Sequence, residues 1–145
     1  MTAEIVKKMP TSPPSVFIDT NVWFSAFYGS PNSERIIKAH IEGKMKAVVS
    51  RQVLRELVSN INKKMPKAMA LLKKLMEFAP PMVVDNANSV SPLVAKYVHK
   101  KDQTIFQSAI NSKSKIFVTG NIKHFNIKHI SGIRIVTPKE AVGLI

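Results

Sequence analysis

The sequence holds 9 acidic side chains among 145 residues, so acids that converge on one place call for a reason. Three of them occupy comparable positions along the chain. Asp19 ends the apolar run Val16-Phe17-Ile18. Glu56 lies in a helix-like stretch after Ala47-Val48-Val49. Asp102 opens the stretch that leads into Lys115-Ile116-Phe117-Val118-Thr119, which Gly120-Asn121 closes. Singly, each acid has a plain structural reading: Asp19 as a cap for the following helix, Glu56 as an exposed helix residue, Asp102 as the N-cap before Gln103. Together they point to one crevice, because independent surface acids have no reason to fall at corresponding positions. A strand-end Asp can also act as a phosphate-accepting nucleophile, but such sites carry a second Asp two residues on, and here that residue is Asn21. Cysteine is absent, which excludes a thiolate nucleophile, a thiolate metal site and disulfides. His40, His99, His124 and His129 are scattered. His124, three residues past Asn121, is the one near the crevice, and alone it reads as a surface-loop histidine.

The elements that must position these groups follow from patterning. A carboxylate cannot stay unpaired in an apolar core, so the strand Ser15–Ile18 ends at Asp19. That is the carboxyl end of a strand, where open α/β sheets keep their ligand crevice. Residues 1–14, with Pro10, Pro13, Pro14 and the Lys7-Lys8 pair, read as a flexible arm before a single domain over 15–145. Asn21 predicts the N-cap of a helix through Trp23, Phe24 and Phe27. Ser33 predicts the cap of a second helix, Glu34–Ile41, and Ser50 that of a third, from Arg51 to about Asn62, with Val53, Leu54, Leu57 and Ile61 inward. Pro66 opens a fourth, with Met69, Leu72, Leu75 and Met76 inward. Met82–Val84 and Ile133–Val136 read as strands, and Pro92–Val98, Gln103–Asn111 and Pro138–Ile145 as helices. The alternation predicts a Rossmann-like three-layer α/β/α sandwich around a central parallel sheet of four or five strands. The strand ending at Thr119 should lie beside the first, across the switch point.

Composition narrows the partners. A hydrophobic fraction of 45% and a charged fraction of 21% are those of a globular domain. Twenty-two lysines and arginines give a formal net charge of +13, beyond the magnitude of about 2–8 that solubility asks of a small domain. Polyanions, nucleic acid first, are the expected partners. No apolar run spans a bilayer, and the expectation is a cytoplasmic protein without a membrane role.

Four segments in this order resemble the PIN-domain family, the nucleases of many toxin–antitoxin pairs and of RNA processing: Phe17-Ile18-Asp19-Thr20-Asn21, Arg55-Glu56-Leu57, Asp102-Gln103-Thr104-Ile105-Phe106 and Val118-Thr119-Gly120-Asn121. The resemblance runs from about Ser15 to Pro138. It implies a VapC-like metal-dependent endoribonuclease, with an antitoxin protein and homodimerisation as expected partnerships. The family's three acids map to Asp19, Glu56 and Asp102 as catalytic residues and ligands of Mg²⁺ or Mn²⁺. Such an ion neutralises charge on the attacked phosphodiester and lowers the pKa of a bound water. Thr20, Asn21, Thr119 and Asn121 are the groups expected to orient carboxylates or water. Members commonly carry a fourth acid where this chain has Asn121, and the alternative is a basic RNA-binding PIN-like module with weak or no catalysis. Arg51, Arg55, Lys100, Lys101 and Lys123 are the candidate RNA contacts.

Overall fold

A computed structural model describes residues 13–145. Most of the expected arm, residues 1–14, lies outside the described residues. The strands are β1 (Ser15–Ile18), β2 (Lys46–Ser50), β3 (Met82–Val84), β4 (Ile116–Val118), β5 (His129–Ile130) and β6 (Ile133–Val136). They form one sheet in the order β3-β2-β1-β4-β6-β5. All neighbours pair in parallel except β5, a two-residue antiparallel edge on β6. The five parallel strands match the sequence expectation. The sixth is too short for any periodicity to announce it, and it forms because Ser131 and Gly132, both at positive φ, turn the chain back on itself.

Successive strand residues point to opposite faces. Val16, Phe17 and Ile18 are all fully buried, so helices cover both sides of β1 and the molecule is a three-layer α/β/α sandwich. The helices are α1 (Thr20–Tyr28), α2 (Pro31–Ile41), α3 (Arg51–Lys64), α4 (Met69–Phe78), α5 (Pro92–Tyr97), α6 (Gln103–Asn111) and α7 (Pro138–Val142). No helix among the described residues is long and apolar enough to cross a membrane.

Local chemistry sets the helix starts, and three differ from the sequence reading. Pro66 opens a 3₁₀ turn, Pro66–Ala68, ahead of α4, and the starts of α1 and α2 are set by other caps. Asp19, not Asn21, caps α1: its Oδ1 accepts from the Thr20 amide at 2.8 Å. Ser30, not Ser33, precedes α2, because Pro31 fits the first helical position, where its missing N–H costs nothing. Ser50 caps α3 as expected, accepting from the Val53 amide at 3.3 Å.

Two pieces of packing hold the strand ends that matter for function. Trp23, fully buried, donates from Nε1 to the Ile18 carbonyl at 3.1 Å and braces the end of β1 from α1. Behind β4, Phe17, Phe106, Phe117 and Phe125 form one aromatic cluster, with ring centroids 5.0–5.6 Å apart in its contacts. Pairs of this kind add about 0.5–1.5 kcal/mol each beyond area burial, and the cluster anchors the loop that carries His124. His40 is a core cross-link: its Nε2 lies 2.8 Å from the Ala79 carbonyl, and its Nδ1 accepts from the Ala47 amide at 3.1 Å. Nε2 therefore carries the proton.

Candidate active site

The acids meet in a cavity of about 310 Å³ lined by Asp19, Thr20, Asn21, Glu56, Asp102 and Asn121, together with Phe24, Asn60, Lys64, Lys101 and Ile105. Three elements deliver the carboxylates. β1 brings Asp19 to the centre of the sheet's carboxyl edge. α3 brings Glu56 two turns in from its capped start. The 3₁₀ turn Lys100–Asp102 brings Asp102 to the head of α6.

Asp19 is 3% exposed, and both of its oxygens are bonded. Oδ1 takes the Thr20 amide, while Oδ2 takes the Thr119 hydroxyl at 2.9 Å and the Asn21 amide nitrogen at 3.4 Å. Burial is the main force that pushes its pKa from 3.8 up to about 6. The hydroxyl and amide bonds oppose that shift, and the charges of Asp102 and Glu56 add to it. Mutual repulsion among the acids is thus the smaller cause and desolvation the larger.

The hydroxyl and amide residues are tethers. Thr20 Oγ1 donates to Glu56 Oε2 at 2.9 Å and ties α1 to α3 across the cavity. Thr119 Oγ1 donates to Asp19 and accepts from the Asn121 amide at 3.0 Å, so one hydroxyl joins the ends of β1 and β4. Asn21 Oδ1 accepts from the Gly120 amide at 2.8 Å. A Cβ on Gly120 would come within 3.1 Å of that oxygen, which explains a glycine there. The Asn121 side chain lines the cavity and is exposed, an amide where a fourth acid was the family expectation.

Asp102 departs from its plain reading. It sits at the N-cap position of α6 but makes no side-chain cap bond. Its Oδ2 instead meets His124 Nδ1 at 2.7 Å. His124 lies in the 3₁₀ turn Ile122–His124. Its backbone carbonyl accepts from the His99 amide at 2.8 Å, and its ring stacks on His99 with centroids 4.6 Å apart. The possible ligand atoms of His99, Asp102 and His124 all lie within 4.8 Å of one another. His99 Nδ1 is already engaged, accepting from the Lys101 amide at 3.2 Å. His124 and His99 are the residues that the sequence reading missed. The available signal was the register between two loops: His124 stands three residues past Asn121, and His99 three before Asp102.

Among the candidate RNA contacts, only Lys101 lines the cavity, where Lys64, unforeseen, joins it. Arg51 is paired with Asp85 at 2.9 Å on the surface. Arg55, Lys100 and Lys123 are exposed outside the cavity lining.

The family model for the PIN domain matches residues 15–123. The chain belongs to the PIN-domain family. PIN domains are generally nucleases that use divalent metal ions. Among curated proteins none matches the chain. Among solved structures, a chain of the VapBC2 complex from Rickettsia felis, bound to a DNA fragment from its promoter, is similar to this PIN domain with a TM-score of 0.58. The two are 18% identical over 85% of this chain and 98% of that one, a likeness of fold.

Proposed function

We propose that this PIN-domain protein is a metal-dependent endoribonuclease that hydrolyses RNA phosphodiester bonds with Asp19, Glu56 and Asp102 as its catalytic carboxylates. The observation that carries the reading is Asp19: a carboxyl buried to 3% exposure, its pKa raised to about 6, facing two further acids across one cavity. A fold keeps such a group when something compensates its charge. The donor set is all oxygen, as Mg²⁺ and Mn²⁺ prefer. The cavity also offers waters the space that Mg²⁺ retains in its shell.

When bound, the ion supplies Lewis acidity toward a phosphoryl oxygen and favours deprotonation of water. The chain's own residues do the rest. Thr119 and Asn21 fix the rotamer of Asp19. Thr20 holds Glu56 by Oε2, and Gln52 Nε2 donates to its Oε1 over a longer 3.4 Å, while His124 holds Asp102 by Oδ2. Asp102 Oδ1 and the weakly held Glu56 Oε1 are the oxygens that would face a cation. Lys101 and Lys64, at the cavity wall, pair with flanking phosphates, and the net charge of +13 draws a polyanion to the surface. Asn121 orients a water by hydrogen bonding without adding charge.

Family membership and the likeness to a chain of the VapBC2 complex support a further reading, that the enzyme is the toxin of a toxin–antitoxin pair held in check by a protein partner. The deciding assay incubates single-stranded RNA with wild type and with Asp19→Asn, each with Mn²⁺ and with EDTA. Cleavage only by wild type with Mn²⁺ is expected. Cleavage that survives the substitution or the chelator would remove the carboxylates from the mechanism. Binding without cleavage in any metal would leave the RNA-binding module, with Asn121 as the missing charge.

A further inference from the structure

Helices α1 and α3 lie side by side along one wall of the cavity and carry a second pattern that the acids do not use. At the cavity's acid end Thr20 meets Glu56. Four residues further along α1 stands Phe24, and four and eight residues further along α3 stand Asn60 and Lys64. Phe24, Asn60 and Lys64 all line the cavity. Along α3 one helical face therefore passes from acid to amide to cation over about 12 Å. Along α1 it passes from hydroxyl to aromatic, and one turn later to a second aromatic, Tyr28.

Phe24 organises the far end of this strip. Lys64 Nζ lies 5.5 Å from the centroid of its ring. The Tyr28 ring packs against it with centroids 6.4 Å apart and planes at 18°. Phe24 is half-buried, whereas Tyr28 is 76% exposed and keeps one ring face open to solvent. An ammonium and an open aromatic face are thus held at fixed relation to each other, one turn of helix from a carboxylate cavity. Single-stranded nucleic acid carries the complement of both: phosphates for a cation, and unstacked planar bases for an aromatic ring. The net charge of +13 draws a polyanion of this kind to the surface.

We infer that the α1–α3 strip is a base-stacking subsite for single-stranded RNA, in which a nucleobase flanking the cleaved bond stacks on Tyr28 while the adjoining phosphate pairs with Lys64, both positioned by Phe24. The inference rests on the ribonuclease reading above. A base inside a duplex has no free face to offer Tyr28, so the subsite selects unpaired segments. It is tolerant of sequence, since every base has a π-face.

The test is fluorescence anisotropy of the full chain with a labelled single-stranded oligoribonucleotide in EDTA, over a series of salt concentrations. Tyr28→Ala should weaken binding roughly 5- to 150-fold, the range of one lost base–aromatic stack, with the slope of log affinity against log salt unchanged. Lys64→Gln should weaken it and reduce that slope by about 1. Tyr28→Trp should retain binding, and RNA should quench the added indole, the buried Trp23 supplying a constant background. A wild type that binds and cleaves RNA while Tyr28→Ala binds equally well would overturn the subsite and leave the ribonuclease reading intact. So would Tyr28→Trp binding without quenching, or a Tyr28→Ala whose only change is its oligomeric state by size-exclusion chromatography. A wild type that neither binds nor cleaves RNA would overturn both.

Discussion

Among the described residues two hollows of similar size have opposite chemistry, and α1 forms a wall of each. The cavity at the sheet's carboxyl edge measures about 310 Å³ and gathers acids, amides and hydroxyls. The groove between α1, α2 and α4 measures about 420 Å³ and is lined chiefly by Ala26, Phe27, Ile37, Ile41, Leu71 and Phe78. In the cavity the carboxylates are tied to neighbours, and among the described residues no buried side-chain nitrogen or oxygen lacks a partner. In the groove, Phe78 is 83% exposed, Leu71 57% and Ile41 55%. The difference teaches where a substitution propagates. A tethered polar network transmits the loss of one member to the rest, while an open apolar surface loses only the atoms removed.

The largest effect that separates the hollows is on chemistry. Asp19→Asn, Glu56→Gln and Asp102→Asn should each lower RNA cleavage by roughly 10²- to 10⁴-fold, several kcal/mol of transition-state stabilisation. Single-turnover rates with Mn²⁺ check this. A variant within tenfold of wild type would remove that carboxylate from the site.

The next effect is on stability. Asp19 titrates at about 6 in the folded chain against 3.8 ordinarily, so the folded state holds a proton that the unfolded state has released. Metal-free protein should therefore have the full contribution of protonated Asp19 below about pH 4 and lose it as pH rises through about 6. The size is about 3 kcal/mol on the linkage scale. Other carboxylates titrate in the same range, so the measurement is the difference between wild type and Asp19→Asn in denaturant melts from pH 4 to 7. The variant should gain on wild type as pH rises. Saturating Mn²⁺ should raise the melting temperature of wild type and not of Asp19→Asn. Equal pH profiles would place the cost of burial elsewhere.

A smaller effect belongs to His124. Its bond to Asp102 fixes which carboxylate oxygen stays free, and partners of that kind change metal affinity by about 10–100-fold. His124→Ala should lose that much in a calorimetric Mn²⁺ titration while keeping its melting temperature without metal. His124→Asn, whose amide can donate in the same place, should recover most of it. Undiminished affinity in the alanine variant would make the pair a loop fastening alone.

These residues mark what the sequence made legible. β1 was readable because Val16-Phe17-Ile18 is apolar on both faces and stops at an acid. The convergence of Asp19, Glu56 and Asp102 followed from strand alternation and the switch point. Ser50 capped α3 because its hydroxyl has few other uses at that spot. The failures have a common physical cause: the deciding contact was long-range. Asn21 looked like a cap, yet its amide spans to Gly120, 99 residues away. His124 looked like a loop residue because nothing local shows that Phe125 anchors its turn in an aromatic cluster, or that the turn docks against His99. Lys64 lies beyond the expected end of α3, and only the approach of α1 places it on the cavity. In the same way Asp102 fits the pattern of a helix cap, and only His124 shows what its carboxylate does instead.

The smallest effects should come from the groove, and they test the comparison most directly. Of the four residues on α4 that the pattern turns inward, Leu72 and Leu75 are buried and Met69 and Met76 are half-buried against the core, while Leu71 and Phe78 face outward. Phe78→Glu removes an apolar ring that is mostly in water already, so stability should change by less than about 0.5 kcal/mol, and Mn²⁺-dependent cleavage should be unchanged. The added charge shrinks an exposed apolar patch, so light scattering should show less self-association at high concentration. A fall in cleavage would be the informative failure. Phe27 in the groove and Phe24 in the cavity lie on the same short helix, so a loss of activity from Phe78→Glu would mean that α1 moves as a unit and that the two hollows are one coupled system.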